Sequence, residues 1–212
     1  MTLSGSCTTV RTVATIGEIR GRLNVGLIPT VAAVDVPAAL SELRRRHPQV
    51  QVRLRTGVSE ELMAGVVAGE LDVAFLGLPD GRKPTGVQSR VLARESLAVL
   101  LPPDHPFAGR KRLRLADLAG ESGTPHVDFP YGSAGRAQTD QAFARAGMAR
   151  DVAYEVSDVA LMARLIRGAL AIGFLPAPYI EQAPELDGLV AVTVTDAPHR
   201  TEYVAWAPPG PT

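Results

Sequence analysis

From Arg22 onward the chain alternates two hydrophobic periods. Leu23, Val25 and Leu27 recur at every second residue and predict a strand. Val36, Leu40 and Leu43 follow at spacings of four and three, the stripe of a helix that Asp35 caps and Pro37 starts. That helix should stop before Pro48. Val50, Val52 and Leu54 alternate with Gln51, Arg53 and Arg55, which predicts a strand with one wet face. Ser59 offers an N-cap hydroxyl for a second helix, Glu60 and Glu61 suit its dipole, and Gly69 suits its end. Residues 71–76 read as a buried strand. Strand, helix, strand, helix, strand in close succession implies a parallel sheet with crossover helices.

The middle of the chain repeats the theme at other spacings. Residues 97–101 form a compact apolar strand ended by Pro102 and Pro103. A loop rich in glycine and proline runs over residues 120–135 around a short strand at 126–129. Residues 137–146 predict a helix stopped by Gly147, 152–156 a strand, 158–167 a helix ended at Gly168, and 171–175 a strand closed by Pro176. Residues 189–194 and 202–207 predict two strands joined by a turn at 196–199. Two α/β clusters linked by single strands predict two lobes, the second inserted into the first. Residues 22–92 and 187–212 are assigned to the first, 93–186 to the second, and 1–21 to a tail or linker remnant.

Composition narrows the function. The chain has 212 residues, and its 22 basic residues balance 22 acidic ones. A domain that held DNA by itself would show a basic excess to displace counterions from phosphates. The run Arg44-Arg45-Arg46 and the cluster at Arg110, Lys111 and Arg112 read as solvated faces. One cysteine, Cys7, allows no disulfide within the chain, and no Cys/His cluster has zinc spacing. With no export signal and no apolar run near the roughly 20 residues that span a bilayer, the expected compartment is the cytoplasm. No phosphate-loop or dinucleotide motif appears, so no cofactor or metal is expected.

Several stretches together resemble the effector-binding domain of LysR-type transcriptional regulators. They are Gly21-Arg22-Leu23-Asn24-Val25-Gly26 with Ile28-Pro29-Thr30, and Leu43-Arg44-Arg45-Arg46-His47-Pro48-Gln49-Val50. Next come Gly57-Val58-Ser59-Glu60-Glu61-Leu62 with Gly69-Glu70-Leu71-Asp72-Val73-Ala74, and Leu101-Pro102-Pro103-Asp104-His105-Pro106. The last is Glu155-Val156 with Leu165-Ile166-Arg167-Gly168 and Ile172-Gly173-Phe174-Leu175-Pro176. The resemblance implies a two-lobed type II periplasmic-binding-protein fold with an effector cleft. It implies a homodimer or tetramer in which the helix near residues 35–47 packs against that near 158–167 of another subunit. Effector binding would then alter the geometry of the oligomer. DNA would be read by a winged helix-turn-helix, which this chain does not contain, and the family's final helix is also missing.

In open α/β sheets, ligands sit outside the carboxyl ends of strands, against helix N-termini. That rule selects Thr30, Ser59, Pro130, Tyr131, Ser133 and Ser157 as ligand-binding residues. Unpaired helix N–H groups at these loops would suit a small carboxylate. Thr30, Ser59 and Ser157 could equally be plain caps, and the 129–133 loop an ordinary helix entry. Ser133 is also weighed as a nucleophile, with Asp187 and His199 as partners. Tyr131, however, stands where the nucleophile elbow needs its first glycine, so no catalytic role is assigned. The alternative functions are a solute-binding protein of a transport system and an enzyme on the same fold.

Overall fold

The computed structural model describes residues 19–119 and 124–208. Strands β1 (Gly21–Leu27), β2 (Val50–Thr56) and β3 (Val73–Pro79) are joined by helices α1 (Val36–Arg46) and α2 (Ser59–Val67). They pair in parallel, in the order β2-β1-β3. The Asp35 carboxylate accepts from Ala38 N at 2.9 Å and α1 ends at Arg46, as the capping and proline signals predicted. Ser59 does not cap α2. The N-cap is Val58, and Ser59 is the first helical residue.

Strand β4 (Gln88–Leu101) is far longer than the apolar run at 97–101 suggested, and it joins the two lobes. Residues 88–96 lie antiparallel to β10 (His199–Trp206), which also pairs with β3. Residues 97–101 pair instead with β8 (Gly173–Pro176) and β9 (Val190–Val194). The polar first half of β4 escapes hydrophobic periodicity because its ladder partners, not its side chains, define it. The strands β9 and β10 are not a hairpin. The former pairs with β4 and with β5 (Arg112–Leu113), so the segment 190–194 sits with the second lobe. First-lobe pairing resumes at His199, later than the expected 187. The two crossings lie side by side, with Leu97 N donating to Pro198 O at 3.0 Å.

Alternation along β4 builds the second lobe on both faces. Leu97, Val99 and Leu101 join a core with α3 (Leu115–Leu118) and Phe143. Leu100 points the other way, to Met162 and Ile166 of α5 (Val159–Arg167). Strands β6 (His126–Asp128) and β7 (Val152–Glu155) pair in parallel beside β8. A short helix α6 (Ala177–Ile180) follows β8. Helix α4 (Ala134–Arg145) serves both lobes: Ala134 packs with Ile28, Leu62 and Leu76 of the first, and Phe143 with the second. In the first lobe α1 carries no buried residue, and Leu54 on edge strand β2 is 52% exposed. The tail and the end of the chain, including Cys7, fall outside the described residues.

His126 is buried in the second lobe, its ring stacked on Phe174 at 6.2 Å and edge-on to Phe143 at 5.6 Å. Among the described residues neither ring nitrogen has a hydrogen-bond partner. Burial, reinforced by the Arg150 cation, pushes its pKa down from 6.5 to about 4. The unfolded chain therefore binds the proton more readily. The stability from burying the neutral ring is complete above about pH 6.5 and lost as pH falls toward 4. Urea unfolding at pH 7 and pH 5 should show about 2 kcal/mol less pH-dependent loss in His126→Phe than in the parent chain. Equal losses would mean the ring is protonated in the fold.

Candidate functional site

Between the lobes lies a cavity of about 800 Å³. It is lined by the ends of β1, β2 and β3, the entry to α2, the loop into α4, and the entry to α5. All six residues selected from the sequence, Thr30, Ser59, Pro130, Tyr131, Ser133 and Ser157, line it. Ile28, Leu97, Phe129, Phe174 and Pro176 supply an apolar wall. Gly135 faces Phe129 so closely that a Cβ would lie 2.9 Å from the ring, so this approach requires glycine.

The floor is a buried ion network at the crossing strands. Arg200 on β10 stands opposite Glu95 on β4 in the ladder, and Nε donates to the Glu95 carboxylate at 2.6 Å. Nη1 donates to the Thr30 hydroxyl at 2.6 Å, and Nη2 to the Thr30 carbonyl at 2.7 Å and to Glu202 at 3.2 Å. Glu202 is fully buried and also accepts from Ala32 N at 3.1 Å and Ala33 N at 3.3 Å. Burial raises its pKa; the Arg200 charge and these two amides pull the other way. The network ties the turn after β1 to both crossing strands. Its sequence signal was faint: Arg200 and Glu202, opposite charges on one face of an apolar strand.

Three of the selected hydroxyls are already bonded. The Thr30 hydroxyl is held by Arg200. Ser59 Oγ donates to Gly77 O and accepts from Gly77 N, both at 3.0 Å, clasping α2 to β3. Ser133 caps α4 by accepting from Arg136 N at 3.2 Å. Asp158, not Ser157, caps α5, accepting from Leu161 N at 2.7 Å. The Ser157 hydroxyl, exposed on the rim, makes no hydrogen bond among the described residues. Tyr131 is 80% exposed and presents its ring at the mouth. Ser133 and His199 line different cavities, and Asp187 lines neither, so these three residues are not brought together as a triad.

Two further residues shape the cavity: Glu60, which the sequence marked only as suiting a helix dipole, and Gln138, which carried no sequence signal. Glu60 reaches from α2 to accept from Ala134 N at 3.3 Å, a bond between the lobes, while Arg82 donates to it at 3.1 Å. Gln138 on α4 is buried at 7% exposure, its side-chain oxygen without a donor. It lines this cavity and a smaller one of about 350 Å³ behind it. Among the described residues no group of three or more His, Cys, Asp or Glu could hold a metal ion.

The cavity thus lies over the crossing strands of two lobes, and both lobes supply its walls. The family profile described as the LysR substrate binding domain matches residues 17–211, and the chain belongs to that family. It is 27% identical over 195 residues to a hydrogen peroxide-inducible genes activator of Pectobacterium carotovorum subsp. carotovorum, covering 90% of this chain and 62% of that protein. With the HTH-type transcriptional regulator CbbR of Xanthobacter flavus the identity is 32% over 160 residues, 74% of this chain and 46% of that one. The chain thus spans about half to three-fifths of these curated relatives. The reduced form of OxyR superposes with TM-score 0.70 at 25% identity, covering 91% of this chain and 88% of that chain. The cofactor-binding domain of the Cbl transcriptional regulator superposes with TM-score 0.75 at 22% identity, covering 91% and 83%, a likeness of fold. The fold is the type II periplasmic-binding-protein kind, its second lobe inserted into the first. Among the described residues no helix is long and apolar enough to cross a membrane.

Ser59→Ala should separate clasp from ligand contact. It strands the buried N–H and carbonyl of Gly77, an expected loss of about 1–3 kcal/mol in urea unfolding. An unchanged midpoint would mean that the hydroxyl is free for a ligand.

Proposed function

We propose that this chain is the effector-binding sensor of a LysR-type transcriptional regulator. A small molecule enters the interlobe cavity and alters the geometry of the oligomer through the two lobes. The observation that carries the reading is the cavity itself. Its volume of about 800 Å³ suits a metabolite-sized guest, and its walls come from both lobes. A guest that touches both sides binds the closed arrangement better than the open one, and differential affinity is what switching requires.

Membership in a family of regulator domains supports binding rather than catalysis. DNA reading belongs to a winged helix-turn-helix outside this chain. Oligomer formation is supported by α1, which carries no buried residue, and by Leu161 on α5, which is 43% exposed. The chain holds one cysteine, and an intrachain disulfide needs two.

A thermal-shift screen of the chain against a metabolite library tests the reading. At a concentration 100 times its dissociation constant, a true effector stabilises the fold by about 2.7 kcal/mol. Ser157→Trp, which fills the cavity at a side chain with no bond to lose, should abolish the shift. A shift of equal size in that variant would place binding elsewhere. Sedimentation of the same samples should give at least twice the chain mass, and a monomer at all concentrations would remove the oligomer from the account.

A further inference from the structure

We infer that the interlobe cavity takes a two-part ligand: a body in the main chamber, a polar linkage beside Ser157, and a hydrocarbon arm in a side chamber beyond it. This builds on the reading of the main cavity as the effector site and names the shape class of its ligand.

A side chamber of about 350 Å³ adjoins the main cavity next to α5. The two share Ile28, Pro29, Thr56, Ser157 and Asp158 as lining. They therefore meet where the turn after β1 and the end of β2 approach the entry to α5. Both lobes build the side chamber. Leu27 and Val31 come from the first, and Val159 and Ala160 of α5 from the second. Tyr179 of α6 and Glu185 line it away from the shared residues.

What the side chamber offers is apolar contact. The Asp158 carboxylate is taken by Leu161 N at 2.7 Å, and the Tyr179 hydroxyl donates to Glu185 at 2.6 Å. The other side chains that it does not share with the main cavity, on Leu27, Val31, Val159 and Ala160, are hydrocarbon. An alkyl arm gains about four-fold in affinity for each methylene it buries against such a wall.

The passage between the chambers supplies an independent sign. Thr56 from the first lobe and Ser157 from the second line both chambers, and neither hydroxyl makes a hydrogen bond among the described residues. The hydroxyls deeper in the main cavity, on Thr30, Ser59 and Ser133, are all bonded within the protein. A polar linkage threaded through the passage thus meets two hydroxyls from opposite lobes, each able to donate or accept. Phe129 and Phe174 wall the main chamber and suit a ring or an aliphatic body. The ligand class is an N-alkyl amide, alkyl ester or alkyl ether of such a body.

Isothermal titration of the chain with the uncharged pair N-methylbenzamide and N-hexylbenzamide tests this. The hexyl compound should bind at least about thirty-fold tighter, a fraction of the roughly four-fold per methylene of full burial. Ala160→Trp changes an exposed position that lines only the side chamber. It should bring the two compounds within about five-fold of each other and leave N-methylbenzamide bound as in the parent, which also shows that the variant is folded. Thr56→Val should weaken both compounds about three-fold, the lower range for a neutral hydrogen bond. Ser157→Trp should abolish both. A gain that persists in Ala160→Trp and is lost with all binding in Ser157→Trp would put the arm inside the main cavity. That result would overturn the two-chamber ligand while leaving the cavity as the effector site. Binding of both compounds that survives Ser157→Trp would overturn both readings. Equal binding of the pair, no binding by either, or affinities unmoved by Thr56→Val would overturn the two-part ligand alone.

Discussion

A guanidinium buried between two carboxylates holds this molecule at its waist. Arg200, Glu95 and Glu202 are each at most 4% exposed, and they lie where β4 and β10 pass between the lobes. Taking such charges out of water is costly, and the cost is met only because nearly every lone pair and proton finds a partner. Arg200 supplies three nitrogens, Thr30 two oxygens, and the turn before α1 two amides to Glu202. Hydrophobic residues could fill the same volume. They would not fix the register of β4 against β10 while also orienting the Pro29–Thr30 turn toward the cavity.

The rest of the site follows from that anchor. The crossing strands meet at Leu97 and Pro198, where Leu97 N donates to Pro198 O at 3.0 Å. The contacts beyond the floor are lighter, and the Glu60 bond to the amide of Ala134 is one of them. The same network commits four of the five guanidinium N–H groups of Arg200 to acceptors within the protein. A residue that looks like an anion receptor by position is a structural cation by bonding.

The sequence made much of this legible. Periodicity located β1, β2, α1 and α2 within a few residues, because their apolar positions recur at the period of the element, and Asp35 marks the start of α1. Loop positions after strands selected six residues that do line the cavity, since topology fixes where strand ends meet. What a loop position cannot reveal is which groups are already bonded. Ser59 reads as a cap and proves to be a clasp on Gly77, because its partner lies on a strand 18 residues away. The first half of β4 was hidden since it buries few apolar side chains and is held by ladder bonds to a strand a hundred residues later. Gln138 on α4 gave no signal at all: an amide in a polar helix shows its missing partner only once the helix is packed against β3.

The central claim is that the buried network acts as a unit at the crossing of the lobes, and a double-mutant cycle on Arg200→Met and Glu95→Leu tests it most directly. Each single change leaves a buried charge without its partner and should cost about 3–5 kcal/mol in urea unfolding. The pair should cost well under the sum, with a coupling energy above about 1 kcal/mol. Additivity within about 0.5 kcal/mol would show two independent side chains, and the anchor described here would not exist.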